Sequence, residues 1–213
     1  MLRKDLKWTL SFSDKEEDDR KETILFHYPS VFPDDAAKHI RRDVKMEFGA
    51  RSDTDPTSTA QISPYVAEIY PGEFTLPSFQ VQAVQPERTF LEKAMLLYEH
   101  ATRENHTPKK EKLSRHYYDL WKMIEAGIGK KALENRGLFK RVAEHRAIYF
   151  KVSRVDYDYL KSGNIIITPN PDHLSYWESD YQTMKEEMIS GKAPSFDSMM
   201  AAIKEFQENW ESS

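Results

Sequence analysis

Three ionisable side chains in this sequence stand where chemistry could occur: Glu47 in VKMEFG, Lys93 in FLEKA and Asp119 in HYYDL. A carboxylate on a strand facing a cleft is a common holder of Mg²⁺ in phosphoryl or nucleotidyl transfer, because oxygen ligands suit a hard cation. A lysine at the border of an apolar helix face is costly unless it meets an anion, either a carboxylate or a ligand phosphate. The same residues admit a plainer account. Lys45 and Glu47 then form a weak ion pair on a solvated strand face, and a Lys93–Asp119 bridge staples two helices. Residue types alone leave both accounts open.

The elements that must position these groups are visible as periodicities. Residues 40–50, IRRDVKMEFGA, alternate so that Val44, Met46 and Phe48 take one strand face and Lys45 and Glu47 the other. The first face is expected to be buried. Two earlier strands are predicted, one from Trp8, Leu10 and Phe12, the next in TILFHYPSVFP, where His27 has no ligand set nearby. The charged DKEEDDRKE between them is expected to be an exposed turn. TDPTSTAQ reads as a polar loop, ISPYVAEIYPGEFTLP as a short helical or irregular segment, and SFQVQAV as a further strand.

From Pro86 the pattern turns helical. Phe90, Leu91, Ala94, Leu97, Tyr98 and Ala101 form one arc, with Lys93 one step outside it beside His100. After the connection NHTPKKEK, a second arc follows: Leu113, Tyr117, Leu120, Trp121 and Ile124. Asp119 and Arg115 lie at its edge, four apart, and Gly127 and Gly129 are expected to stop the helix. Leu133–Phe150 is predicted as one amphipathic helix whose basic residues, Arg136, Lys140, Arg141, Arg146 and Lys151, form either a solvated face or a phosphate-contacting one. VDYDYLKSGNIIITP reads as a turn and a short apolar strand, HLSYWESDYQTMKEEMI as a helix, and FDSMMAAIKEFQENW as a last helix capped by Ser195. The organisation expected is a strand-rich 1–85 followed by a helical 86–213.

Composition narrows the class. With 31% charged and 39% hydrophobic residues, the chain of 213 residues is a globular protein rather than a disordered or membrane one. No apolar run reaches the roughly 18 residues needed to span a bilayer, and no signal peptide is evident, so a cytoplasmic location is expected. There is no cysteine, which excludes disulfides and thiolate metal sites, and a net charge of −4 gives no global pull toward nucleic acid.

VKMEFGARSD, PERTFLEKAMLLYEH, LSRHYYDLWKM and SDYQTMKEEMISGKAPSFD, in that order, resemble the AbiEii/AbiGii toxin family of nucleotidyltransferases, found in abortive-infection (type IV) toxin–antitoxin systems of phage defence. The resemblance runs from about Ile24 to Trp210. It implies an α+β fold, a nucleotidyltransferase-like mixed sheet followed by a helical C-terminal half. It also implies Mg²⁺, a nucleoside triphosphate and transfer of a nucleotide to RNA. Carried over, Glu47 completes a metal site, Lys93 contacts phosphate with Lys45 nearby, and Asp119 is the acidic partner of the helical motif. Arg115 supports Asp119, and Asp180 matches a further position at the nucleotide site.

One departure limits this. The family's Gly-Gly-Ser/Thr turn and following Asp-x-Asp pair do not occur before Lys45; Asp18-Asp19 has no such turn upstream, and Asp53 and Asp55 come after the strand carboxylate. The expectation is a C-terminal portion of such an enzyme, its sheet incomplete at the N-terminus, weak or inactive alone. The alternative is a non-catalytic module that engages RNA, an antitoxin or another subunit; a second copy of the chain or a missing N-terminal part is a further expected partner. A neighbouring upstream frame encoding the turn and the Asp-x-Asp pair would favour the enzyme.

Overall fold

A computed structural model of the chain describes residues 9–12, 23–29, 43–49, 53–102 and 113–212. The readings made for Asp18, Asp19, Arg51 and the connection 105–112 lie outside these residues. Contacts divide the chain into two compact units, Met1–Asp53 with Glu186–Ile189, and Thr54–Lys185 with Ser190–Ser213. The change from strand-rich to helix-rich sequence falls later, at about residue 85.

The first unit holds three strands, β1 (Thr9–Phe12), β2 (Thr23–His27) and β3 (Asp43–Glu47), in the order β1-β2-β3, with both pairs antiparallel. The register sets Ile24 opposite Met46 and Leu25 opposite Lys45, so the expected alternation on β3 holds. The expected burial does not. Val44 and Phe48 are exposed, whereas Thr23 and Leu25, on the Lys45–Glu47 side, are buried. The register is the reason, since it places small or apolar β2 side chains beside the long charged ones.

The second unit opens with a hairpin, β4 (Thr57–Ile62) and β5 (Phe79–Val84), whose tip carries a short helix α1 (Tyr65–Ile69) and one 3-10 turn at Pro71–Glu73. The expected polar loop is thus mostly strand. Its polar face hides the alternation, because Gln82 donates to Thr59 at 3.0 Å and Gln61 to Ser78 at 2.7 Å across the pair, and threonine suits a pleated surface without being apolar. At the hairpin base, Gln85 N–H donates to the Pro56 carbonyl, and Arg88, 0% exposed, reaches the Asp55 carbonyl.

The helices are α2 (Pro86–Thr102), α3 (Arg115–Glu125), α4 (Ile128–Glu134), α5 (Arg136–Tyr149), α6 (Tyr157–Lys161), α7 (Leu174–Met188) and α8 (Phe196–Glu211). The fold is α+β, with a helical C-terminal half. Helix α2 is central, burying Phe90, Leu91, Ala94, Met95, Leu97 and Tyr98 against α3, α4 and α5. Phe90 meets the Phe206 ring of α8 edge-on at 4.9 Å.

Three expectations change. Gly127 ends α3 in the left-handed region at φ 75°, but Gly129 lies inside α4, where a Cβ would come within 3.2 Å of the Phe206 ring. The single helix expected over 133–150 is two, since Asn135 breaks the chain and caps α5 by accepting from Leu138 N–H. The expected strand in NIIIT is irregular backbone: Ile165 and Ile167 are buried, and the Ile167 and Thr168 amides donate to the Gln207 side chain rather than to a partner strand. Ser195 caps α8 as expected, accepting from Ser198 N–H.

Candidate functional site

Lys93 and Asp119 meet. Lys93 stands on α2 beside the arc that enters the core, and Asp119 on α3 one position before the buried Leu120. Packing of the two helices brings the lysine Nζ to 2.7 Å from Asp119 Oδ2, with the side chains 25% and 40% exposed. The pair is therefore open to an incoming ligand, and a phosphate could displace or join the carboxylate as the partner of the ammonium.

The start of α3 is held from α7. Asp180 Oδ2 accepts from Ser114 N–H at 2.8 Å, a carboxylate at a helix N-terminus where the dipole favours it. The structure thus places Asp180 where it fixes the helix that carries Asp119. Arg115 is exposed and makes no ion pair with Asp119, contrary to the expected i,i+4 support. The Asp119 carboxylate turns toward α2, where Lys93 takes it.

His116 was missed in the sequence and belongs to this neighbourhood. It lies three residues before Asp119, on the same side of α3, and that spacing is the signal that could have found it. Burial, then the positive charges of Lys93 and Arg115, bring its imidazole down to about 4, with Asp119 pulling the other way and His100 adding to the lowering. Its Nδ1 is buried without a hydrogen-bond partner. On the far side of α3, Tyr117 packs edge-on against Trp177 at 5.1 Å, and burial raises its phenol well above the usual range.

In the first unit, Glu47 pairs with Lys45 at 2.9 Å and its side chain is 70% exposed. Among the described residues no group of three or more His, Asp or Glu side chains is placed to hold a metal ion. A single exposed carboxylate already matched by a lysine does not by itself make a Mg²⁺ site. On the same sheet, Ser11 Oγ lies 2.7 Å from His27 Nε2, and His27 Nδ1 lies 3.9 Å from Asp43. The residue types resemble a hydrolytic triad, but 3.9 Å is too long for the orienting hydrogen bond. His27 thus joins a polar ladder across three strands.

The basic residues of α5 divide by what they touch. Arg136 lies 3.7 Å over the Trp210 ring and donates to the Trp210 carbonyl at 2.6 Å. Arg141 pairs with Asp55 at 3.1 Å, and Arg146 makes a two-pronged contact with Glu99 at 2.6 and 2.8 Å. Lys140 and Lys151 are exposed. The expected choice between a solvated face and a phosphate-contacting one therefore misses what the arginines do, which is to tie α5 to its neighbours.

The family model for the nucleotidyl transferase AbiEii toxin of type IV toxin–antitoxin systems matches residues 5–202. The chain belongs to that family. No curated relative and no solved structure matches it. Membership supports a toxin of nucleotidyltransferase type, use of a nucleoside triphosphate with a divalent metal, and an antitoxin partner. No helix among the described residues is long and apolar enough to cross a membrane.

Proposed function

We propose that the chain is an AbiEii-type nucleotidyltransferase that acts on RNA, with its phosphate-contacting site at Lys93 and Asp119. Lys93 takes a phosphate of the nucleoside triphosphate, and Asp119 holds the ammonium in place until the ligand arrives. Asp180 keeps α3 in register for both. The carrying observation is the 2.7 Å Lys93–Asp119 contact with both side chains still open to solvent. Arg115 is a further cation for the triphosphate; in the first unit the family resemblance assigns Glu47 to a metal and Lys45 to the nucleotide. By itself the chain transfers nucleotide weakly or not at all, since among the described residues no group of carboxylates gathers with Glu47 to hold a metal. An antitoxin, RNA and a second copy of the chain are its proposed partners.

The test has two arms. Calorimetry with each ribonucleoside triphosphate should show binding that Lys93→Ala abolishes. Incubation of the isolated chain with labelled triphosphate, Mg²⁺ and RNA should show little transfer. Binding indifferent to Lys93→Ala would overturn the site, and robust transfer abolished by Glu47→Ala would overturn the claim of weakness. The alternative, a non-catalytic module that binds RNA or an antitoxin, is favoured by the exposed, lysine-paired state of Glu47. It gains if RNA binds while no triphosphate does.

A further inference from the structure

Among the described residues, the large apolar side chains exposed on the second unit fall, Leu174 apart, into two patches. One is the hairpin tip, where α1 sets Tyr65 and Ile69 four residues apart on one side and Ile69 is 71% exposed. The other is the C-terminal end of α5, where Ile148 is 72% exposed and Tyr149 and Phe150 are exposed beside it. The His145 ring packs at 4.7 Å from the Tyr149 ring and 5.9 Å from that of Phe150, which joins this second patch into one surface. Contiguous apolar surface of this kind marks a place of association.

The two patches carry opposite charge. From Ser52 to Glu87 there is no lysine or arginine, and Glu68 and Glu73 stand exposed at the tip. From His145 to Val155 there is no aspartate or glutamate, and Lys151 and Arg154 stand exposed just past α5. A tip against another tip sets carboxylates against carboxylates, and two α5 ends oppose their cations. A tip against an α5 end matches apolar surface with apolar and acid with base. The same carboxylates turn RNA phosphates away from the tip. We infer that the hairpin tip of one copy docks on the α5 end of a second copy. Such a head-to-tail contact leaves one tip and one α5 end free, so it continues into a ring or an open chain instead of stopping at a two-fold dimer. The inference rests on the second copy proposed above as a partner, and not on the nucleotide reading.

Two double variants of the full chain separate the surfaces: Tyr65→Gln with Ile69→Gln at the tip, and Ile148→Gln with Tyr149→Gln on α5. All four positions are exposed, so both chains should keep the wild-type unfolding temperature. In light scattering across a concentration series, wild type should pass the mass of a dimer, and each double variant alone should stay a monomer. An equimolar mixture of the two should give a dimer and nothing larger, because only one intact tip and one intact α5 end are left to meet. Glu68→Lys with Glu73→Lys keeps every apolar side chain and should weaken wild-type association about tenfold. An α5 variant that associates as wild type does would make the contact tip-to-tip, and a monomeric mixture would mean that the two surfaces do not meet. Either result, or association unmoved by the two lysines, overturns the inference. A wild-type monomer at every concentration overturns it together with the second copy as partner. Triphosphate binding, read separately by calorimetry, decides the nucleotide reading on its own.

Discussion

At Lys93 and Asp119 the contact is short but the surroundings are wet, and solvent screening keeps such pairs weak. Asp119→Asn should therefore change stability in urea unfolding by less than about 1 kcal/mol. A loss of several kcal/mol would make the pair a staple between helices instead. His116 gives a second residue-level prediction with a definite sign. In the native chain its imidazole stays neutral down to about pH 4, whereas an unfolded histidine takes a proton below its ordinary 6.5. Between those values the unfolded state binds more protons, so stability falls as the pH falls through the window. The effect is on the order of 1 kcal/mol, less than the full shift implies because the ring is partly open to solvent. The urea midpoint measured from pH 7 to pH 4 should flatten in His116→Leu; an unchanged slope would place the titration elsewhere.

Among the helices, the contact that joins most elements is Glu99 on α2, Arg146 on α5 and Tyr157 on α6. Arg146 grips both carboxylate oxygens, and the Tyr157 hydroxyl donates to Glu99 Oε1 at 2.7 Å. Burial and the neighbouring carboxylate hold that phenol above its usual range. With the Glu99 side chain only 7% exposed, removing the guanidinium strands a buried charge. Arg146→Ala should cost about 3–5 kcal/mol, and Tyr157→Phe about 1 kcal/mol, both read from denaturant unfolding. The arcs of α2 and α3 were legible because long amphipathic helices announce themselves every three or four residues. So was the nearness of Lys93 to Asp119, since both flank arcs that must face each other. The role of Arg146 was not, because a basic residue on a helix looks the same whether its carboxylate partner, 47 positions earlier in sequence, faces it or not. Strand β4 was hidden for a related reason: Thr57, Ser58 and Thr59 are polar on both faces, with Thr59 accepting from Gln82 across the pair, and no hydrophobic period marks them.

For the whole molecule, the hairpin is the region to watch. Among the described residues β4 pairs only with β5, leaving both edges open, and its tip exposes Ile62, Tyr65, Ile69, Leu76 and Phe79, with Tyr65 at 88%. Open edges and uncovered apolar side chains favour association. Light scattering at high concentration should find a dimer or larger species, and Ile69→Lys should shift it toward monomer; a clean wild-type monomer would count against this. The hairpin also has a chemical signature of its own. From Ser52 to Glu87 there is no lysine or arginine, and Arg88, the next basic residue, is fully buried. In the folded chain trypsin thus has nothing to cut across this whole stretch, while Tyr65 at the tip lies open to chymotrypsin. A nick made by one protease and refused by the other is a tag that the sequence itself supplies, and its disappearance when an antitoxin or RNA is added would report, without any label, that the hairpin tip has been covered.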